Sequence, residues 1–169
     1  MKKLISTFIF LIMSSTYAYS NQFYVGLDIA QISVDTGVTN ISSTLDEDDT
    51  LMKFTGGYNV DENVSIEAFY LDFGEASLSG VSGNRFSYGG STYQFNQTAT
   101  IYLTADTMGI GGKYNFYRSE DKKTAIYLLG GLHSWDVVIG AATGTASANA
   151  TATGTDPYYG FGANYAISE

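Results

Sequence analysis

His133-Ser134-Trp135-Asp136 puts the only histidine of the chain beside a hydroxyl and close to a carboxylate. A histidine that takes a proton from a serine, steadied by an acid, could cleave or transfer an acyl ester. The spacing argues against that chemistry. In an extended strand successive side chains point to opposite faces, so His133 and Ser134 cannot readily share a proton. His133 is expected instead as an interfacial or loop-proximal side chain.

Four other charges, Asp28, Lys53, Glu67 and Lys113, fall inside alternating segments on the same parity as small or polar neighbours. Counted from their turns, Glu67 and Lys113 lie at similar depth on neighbouring strands, which predicts an ion pair. Such a pair could gate small solutes. The simpler reading is preferred: charges enclosed in a narrow space pair to offset desolvation. Asp46-Glu47-Asp48-Asp49 lacks the glycine-spaced pattern of a calcium loop and reads as a solvated acidic stretch. Gly109-x-Gly111-Gly112 imitates a nucleotide loop but has no helix after it. No cofactor and no metal is expected. With no cysteine there is neither a thiolate nucleophile nor a disulfide framework.

The elements that must hold these residues are strands. The chain has 169 residues with 19 glycines, one proline, 14 tyrosines and 10 phenylalanines, a composition that favours strands over helices. Eight Lys and Arg against 17 Asp and Glu leave a net charge of -9, which excludes nucleic acid as a partner. Alternation predicts six strands, at 22–35, 50–60, 63–74, 98–117, 124–139 and 157–167. Phe23, Val25, Leu27 and Ile29 share one face of the first, and Tyr24, Gly26, Asp28 and Ala30 the other. Short turns at 59–63 and 118–123 alternate with long polar connections at 36–49, 75–97 and 140–156. That alternation suits a membrane barrel, with turns on one side and loops on the other. Residues 141–155 read as a mobile low-complexity loop. Beyond Asp46–Asp49 the loops carry no aromatic or charged signature that names a ligand.

Aromatics predict two girdles. Phe23, Tyr58, Tyr114, Phe116, Tyr127 and Tyr165 fall at the turn ends of strands, and Tyr70, Tyr102, Trp135 and Tyr159 at the loop ends. Residues 1–20 read as a signal peptide: Lys2-Lys3, an apolar run through Met13, then small residues before a cut after Ala18 or Ser20. The barrel domain is then 21–169.

Gly56-Gly57-Tyr58-Asn59-Val60-x-x-Asn63-Val64-Ser65-Ile66-Glu67 resembles the second hairpin of OmpA-type transmembrane barrels. Asp106–Tyr114 and Asp156–Tyr165 are similar to the fourth and sixth strands of that family. The resemblance implies an all-β, antiparallel, up-and-down transmembrane barrel of the eight-strand type, of which about six strands are present. It also implies a lumen plugged by a Glu and a Lys at the positions of Glu67 and Lys113. The family's arginine partner from the seventh strand has no counterpart here, and the chain ends Ile167-Ser168-Glu169 without the usual terminal aromatic. A fragment is therefore expected, with a gap between 22–35 and 157–167. The expected function is a non-enzymatic outer-membrane barrel of Gram-negative type with a structural or surface-interaction role and weak pore activity. Its expected partners are outer-membrane lipid and lipopolysaccharide, and an extracellular ligand or host surface through the loops. The competing expectation is a lipid-modifying enzyme using His133.

Overall fold

The computed structural model describes residues 14–19, 22–39 and 41–165. Its elements are all strands: β1 Ser14–Tyr19, β2 Phe23–Ser33, β3 Thr44–Asp46, β4 Asp48–Asn59, β5 Val64–Gly80, β6 Arg85–Tyr88, β7 Ser91–Gln94, β8 Ala99–Arg118, β9 Thr124–Thr143 and β10 Ser147–Tyr165. One antiparallel sheet runs in the order β1-β2-β4-β5-β8-β9-β10, with β3 added to the upper part of β5. Next-door strands in sequence pair wherever a short turn joins them. Asp61 makes the first turn by accepting hydrogen bonds from the backbone N–H of Asn63 and Val64 at 2.7 and 2.8 Å. Asp121 and Ser119 organise the second, with Lys122 at φ 58°.

Strict alternation makes the sheet two-sided. On β2 the side chains of Tyr24, Asp28, Ala30 and Ile32 are buried while Phe23, Val25 and Ile29 are exposed. On β4 Leu51 and Thr55 are buried and Met52, Phe54 and Tyr58 exposed. The same parity continues on β8, where Met108, Ile110, Tyr114 and Phe116 face out. Exposed hydrophobics on every long strand would be untenable in water; here they form one lipid-facing surface.

The concave side is sealed towards the loops by Ala30, Ile32 and Leu51, against which Val34, Leu71 and Phe73 pack. Between Asp72 and Glu75 the β5–β8 register shifts. The Asp49 carboxylate stabilises this bulge by accepting from the Glu75 N–H at 2.6 Å, beside Gly74 at φ 73°.

The long connections differ from the sequence expectation. Residues 147–155 are not a loop: they pair residue by residue with β9, and the connection shrinks to 144–146. Ala and Thr pack little, but a backbone ladder needs no side chains, and the partner strand supplies the register. Within 75–97, β5 continues to Gly80 and β6–β7 form a hairpin. That hairpin also corrects the view that the loops lack aromatics. Phe86 stacks on Tyr93 with centroids 5.4 Å apart and touches buried Phe95, and Ser87 bridges to Thr39 of the preceding loop.

At the sheet ends, no pairing joins β2 to β10 among the described residues, so the expected gap is present. The edge of β2 is not bare, however. Ser14–Tyr19, within the segment read as an export signal, pairs along it from Ile29 to Tyr24. An unpaired strand edge is a template for any nearby extended segment.

Candidate functional site

The lumen is built in layers that the register makes explicit. One layer runs Tyr24, Gly57, Glu67, Gly111, Gly131 and Tyr158 across the six long strands. Its glycines make room for its rings. A Cβ at Gly57 would overlap the Tyr24 ring, and one at Gly111 would meet the Tyr158 hydroxyl. The long side chains can therefore cross the lumen instead of lining it.

The structure brings Glu67 and Lys113 together. Lys113 Nζ donates to Glu67 Oε1 at 2.6 Å and to the Tyr24 hydroxyl at 3.2 Å, while that hydroxyl donates to the same carboxylate oxygen. Lys113 Nζ also stands 4.9 Å from the Tyr24 ring centroid and 5.4 Å from that of Tyr127. The side chains of Lys113 and Glu67 retain only 12% and 15% of their exposure, so each ion depends on the other for the solvation it has lost. Asp28 and Lys53 face each other directly on β2 and β4, but their closest atoms are 4.0 Å apart, and Lys53 also lies 5.2 Å from the Phe69 ring. Two separate ion pairs thus occupy the lumen, not one four-membered cluster.

Tyr24 was not foreseen as part of this site, although its parity with Asp28 and its position opposite Gly57 could have marked it. Tyr127 and Trp135 were expected in the lipid-facing girdles. Both face inward: Tyr127 stands beside Lys113, and Trp135 Nε1 donates to Asp156 Oδ2 at 2.7 Å. Asp156 is not among the expected lumen charges because alternation starts the last strand at 157, one residue after it. Tyr159 belongs to the turn-side level, with Phe23, Tyr58 and Ile66, because β10 is longer than its alternating part.

His133 also faces the lumen. Its Nδ1 lies 2.8 Å from Thr107 Oγ1, and the same oxygen lies 2.8 Å from the Ser134 carbonyl. Ser134 points to the other face, where its hydroxyl meets Thr155 at 2.9 Å. The adjacent pair is split between faces as strand geometry requires. In the acidic stretch, Asp49 is occupied by the β5 bulge, and Asp46 accepts from Asp48 N at 3.4 Å. Among the described residues no cluster of His, Cys, Asp and Glu is arranged to hold a metal.

The outward face shows where the lipid-facing band stops. Leu27, Phe54, Tyr70 and Met108 form one level of it. At the next level towards the loops, Asp72, Asp106 and Asp136 stand directly opposite one another on β5, β8 and β9. Three adjacent carboxylates cannot lie in hydrocarbon, so this row marks the end of the band.

No curated protein matches the sequence. A family model for the outer membrane protein beta-barrel domain matches residues 4–169, nearly the whole chain. Together with the two-sided antiparallel sheet and its polar, ion-paired lumen, this match places the chain in the outer-membrane protein β-barrel family and its site of action in the outer membrane.

Proposed function

We propose that the protein is a non-catalytic structural and surface-interaction barrel whose lumen is held shut by Lys113, Glu67 and Tyr24, with weak pore activity when that contact opens. The single observation that carries this reading is the 2.6 Å contact of Lys113 with Glu67 across a lumen already narrowed by the Tyr24 and Tyr158 rings. In a barrel of this small type side chains can close the lumen, so bulk diffusion is not expected while the Lys113–Glu67 contact is in place.

In this reading the segment up to Ala18 or Ser20 is removed on export, which frees the edge of β2 from β1. The turns at 60–63 and 119–123 face the periplasm with the mature N-terminus, and the loop body containing β6 and β7 faces outside. Lipid and lipopolysaccharide surround the apolar band, and a ligand or host surface meets the loops. Catalysis by His133 is disfavoured because its neighbouring hydroxyl, Ser134, faces away from it.

Conductance in planar bilayers tests the lumen reading. The protein should give rare, small openings, and E67Q or K113Q should raise their frequency. Large steady conductance in the unaltered protein, or no change in either variant, would count against it.

A further inference from the structure

Between the Lys113–Glu67 contact and the apolar seal near Leu51, the lumen holds a cavity of about 700 Å³. Its walls come from all six long strands, through the inward Gly26, Thr55, Phe69, Gly109 and His133, and it is bordered on β10 at Thr155, whose hydroxyl lies on the outer face. Only the concave side of a curled sheet can offer one cavity to both β2 and β10, so the space is luminal. It falls within the size range of ordinary small-molecule pockets, roughly 300–1,000 Å³. The space exists because Gly26 and Thr55 put little side chain into this layer, while the room beside Gly109 is taken by the Phe69 ring.

The large groups that remain are rings. Phe69 meets Tyr158 edge-on with centroids 5.4 Å apart, and His133 meets Tyr158 at 6.1 Å in the same manner. The nearby charges have partners of their own. Lys53 is engaged with Asp28 and the Phe69 ring, and Asp156 with Trp135 Nε1. An apolar, ring-walled space with its charges already occupied favours an uncharged occupant.

The Thr107 contacts then fix what His133 can offer. A hydroxyl has one hydrogen, and the Ser134 carbonyl can only accept, so Thr107 gives its hydrogen to that carbonyl. The 2.8 Å contact with His133 Nδ1 must therefore be an N–H donated by the ring into the hydroxyl oxygen. In the neutral imidazole this leaves Nε2 with its lone pair, and no hydrogen bond reaches Nε2 among the described residues.

We propose that the luminal cavity beside His133 binds a small uncharged aromatic molecule carrying one hydrogen-bond donor, of the phenol or naphthol class, with its donor on His133 Nε2. This goes beyond the closed-barrel reading and does not depend on whether the lumen conducts.

The test uses the whole protein in lipid nanodiscs, with 2-naphthol and naphthalene as probes and the emission of Trp135, the only tryptophan, as the readout. 2-Naphthol absorbs where tryptophan emits, so bound 2-naphthol quenches in a saturable way, whereas 2-naphthol dissolved in lipid quenches without saturation. Naphthalene does not absorb there, and its affinity is read from its displacement of bound 2-naphthol. The expected result is saturable quenching by 2-naphthol with affinity roughly tenfold above that of naphthalene, the ratio that one neutral hydrogen bond supplies. H133L should equalise the two probes, H133Q should keep part of the difference, and T55L should weaken both by filling the space. Unsaturable quenching by 2-naphthol, or equal affinities for the two probes in the unaltered protein, overturns the proposal without reliance on any variant.

Discussion

Lys113 on β8 and Glu67 on β5 meet at 2.6 Å although 46 residues separate them in sequence. They do so because Ser65 pairs with Lys113 and Glu67 with Gly111, which places the two charges one inward step apart on adjacent strands. Lys113→Met leaves the Glu67 carboxylate enclosed with only the Tyr24 hydroxyl, and should cost about 3–5 kcal/mol. The double variant Lys113→Met with Glu67→Leu should recover most of that loss. Urea unfolding in detergent measures both. A single variant as stable as the unaltered protein would show that the pair is not enclosed as described.

Asp49 gives a pH dependence. Hydrogen bonds from the Glu75 N–H, and then from Thr50, hold its carboxyl below the usual carboxylate range. A folded-state value below the unfolded one contributes stability above the unfolded pKa, which disappears as pH falls through the folded value. Unfolding midpoints measured from neutral pH down to about pH 2 should therefore fall more steeply for the unaltered protein than for Asp49→Asn. Parallel curves would remove Asp49 from the acid response.

The carboxylate row predicts a substitution that stabilises. Asp106 lies directly opposite Asp72 on one side and Asp136 on the other. Like charges in opposed positions destabilise by about 0.2–1 kcal/mol per pair, so Asp106→Asn should gain up to about 2 kcal/mol at low salt. Raising ionic strength should shrink the gain, because salt screens the repulsion that the substitution removes. A gain indifferent to salt would point to another cause.

Lipid-facing and luminal positions should respond differently to the same residue. Ile110→Arg puts a charge on the lipid side one level further from the carboxylate row than Leu27 and should cost up to about 2–4 kcal/mol, whereas Leu27→Arg, at the last level before that row, should cost about 0–1 kcal/mol. At Gly111 even a methyl group meets the Tyr158 hydroxyl and the Gly130 backbone, so Gly111→Ala should destabilise by overpacking. Varying bilayer thickness should change the cost of the arginine variants and leave that of Gly111→Ala unaltered.

Export gives the last expectation. Sequencing the N-terminus of protein recovered from outer membranes should find Tyr19 or Asn21 as the first residue. Retention of Met1 would show that Ser14–Tyr19 stays on the edge of β2 in the mature protein.

Alternation alone determined the face of every residue on β2 and β4, and with it the inward placement of Asp28, Lys53, Glu67 and Lys113, because side-chain direction in a strand is a local property. The short turns were legible for the same reason, since Asp61 and Asp121 make their bonds within three residues. Tertiary structure alone decided what has no local signal. Residues 147–155 became strand because β9 offered a ladder, not because their own sequence alternates. Tyr127 and Trp135 turned inward where a girdle was expected, since apolar residues occupy both parities of β9 and only pairing with β8 settles which parity faces the lumen. Tyr24 joined Glu67 and Lys113, and His133 found Thr107, across strands distant in sequence. Register between strands is a long-range quantity, and each of these contacts depends on it.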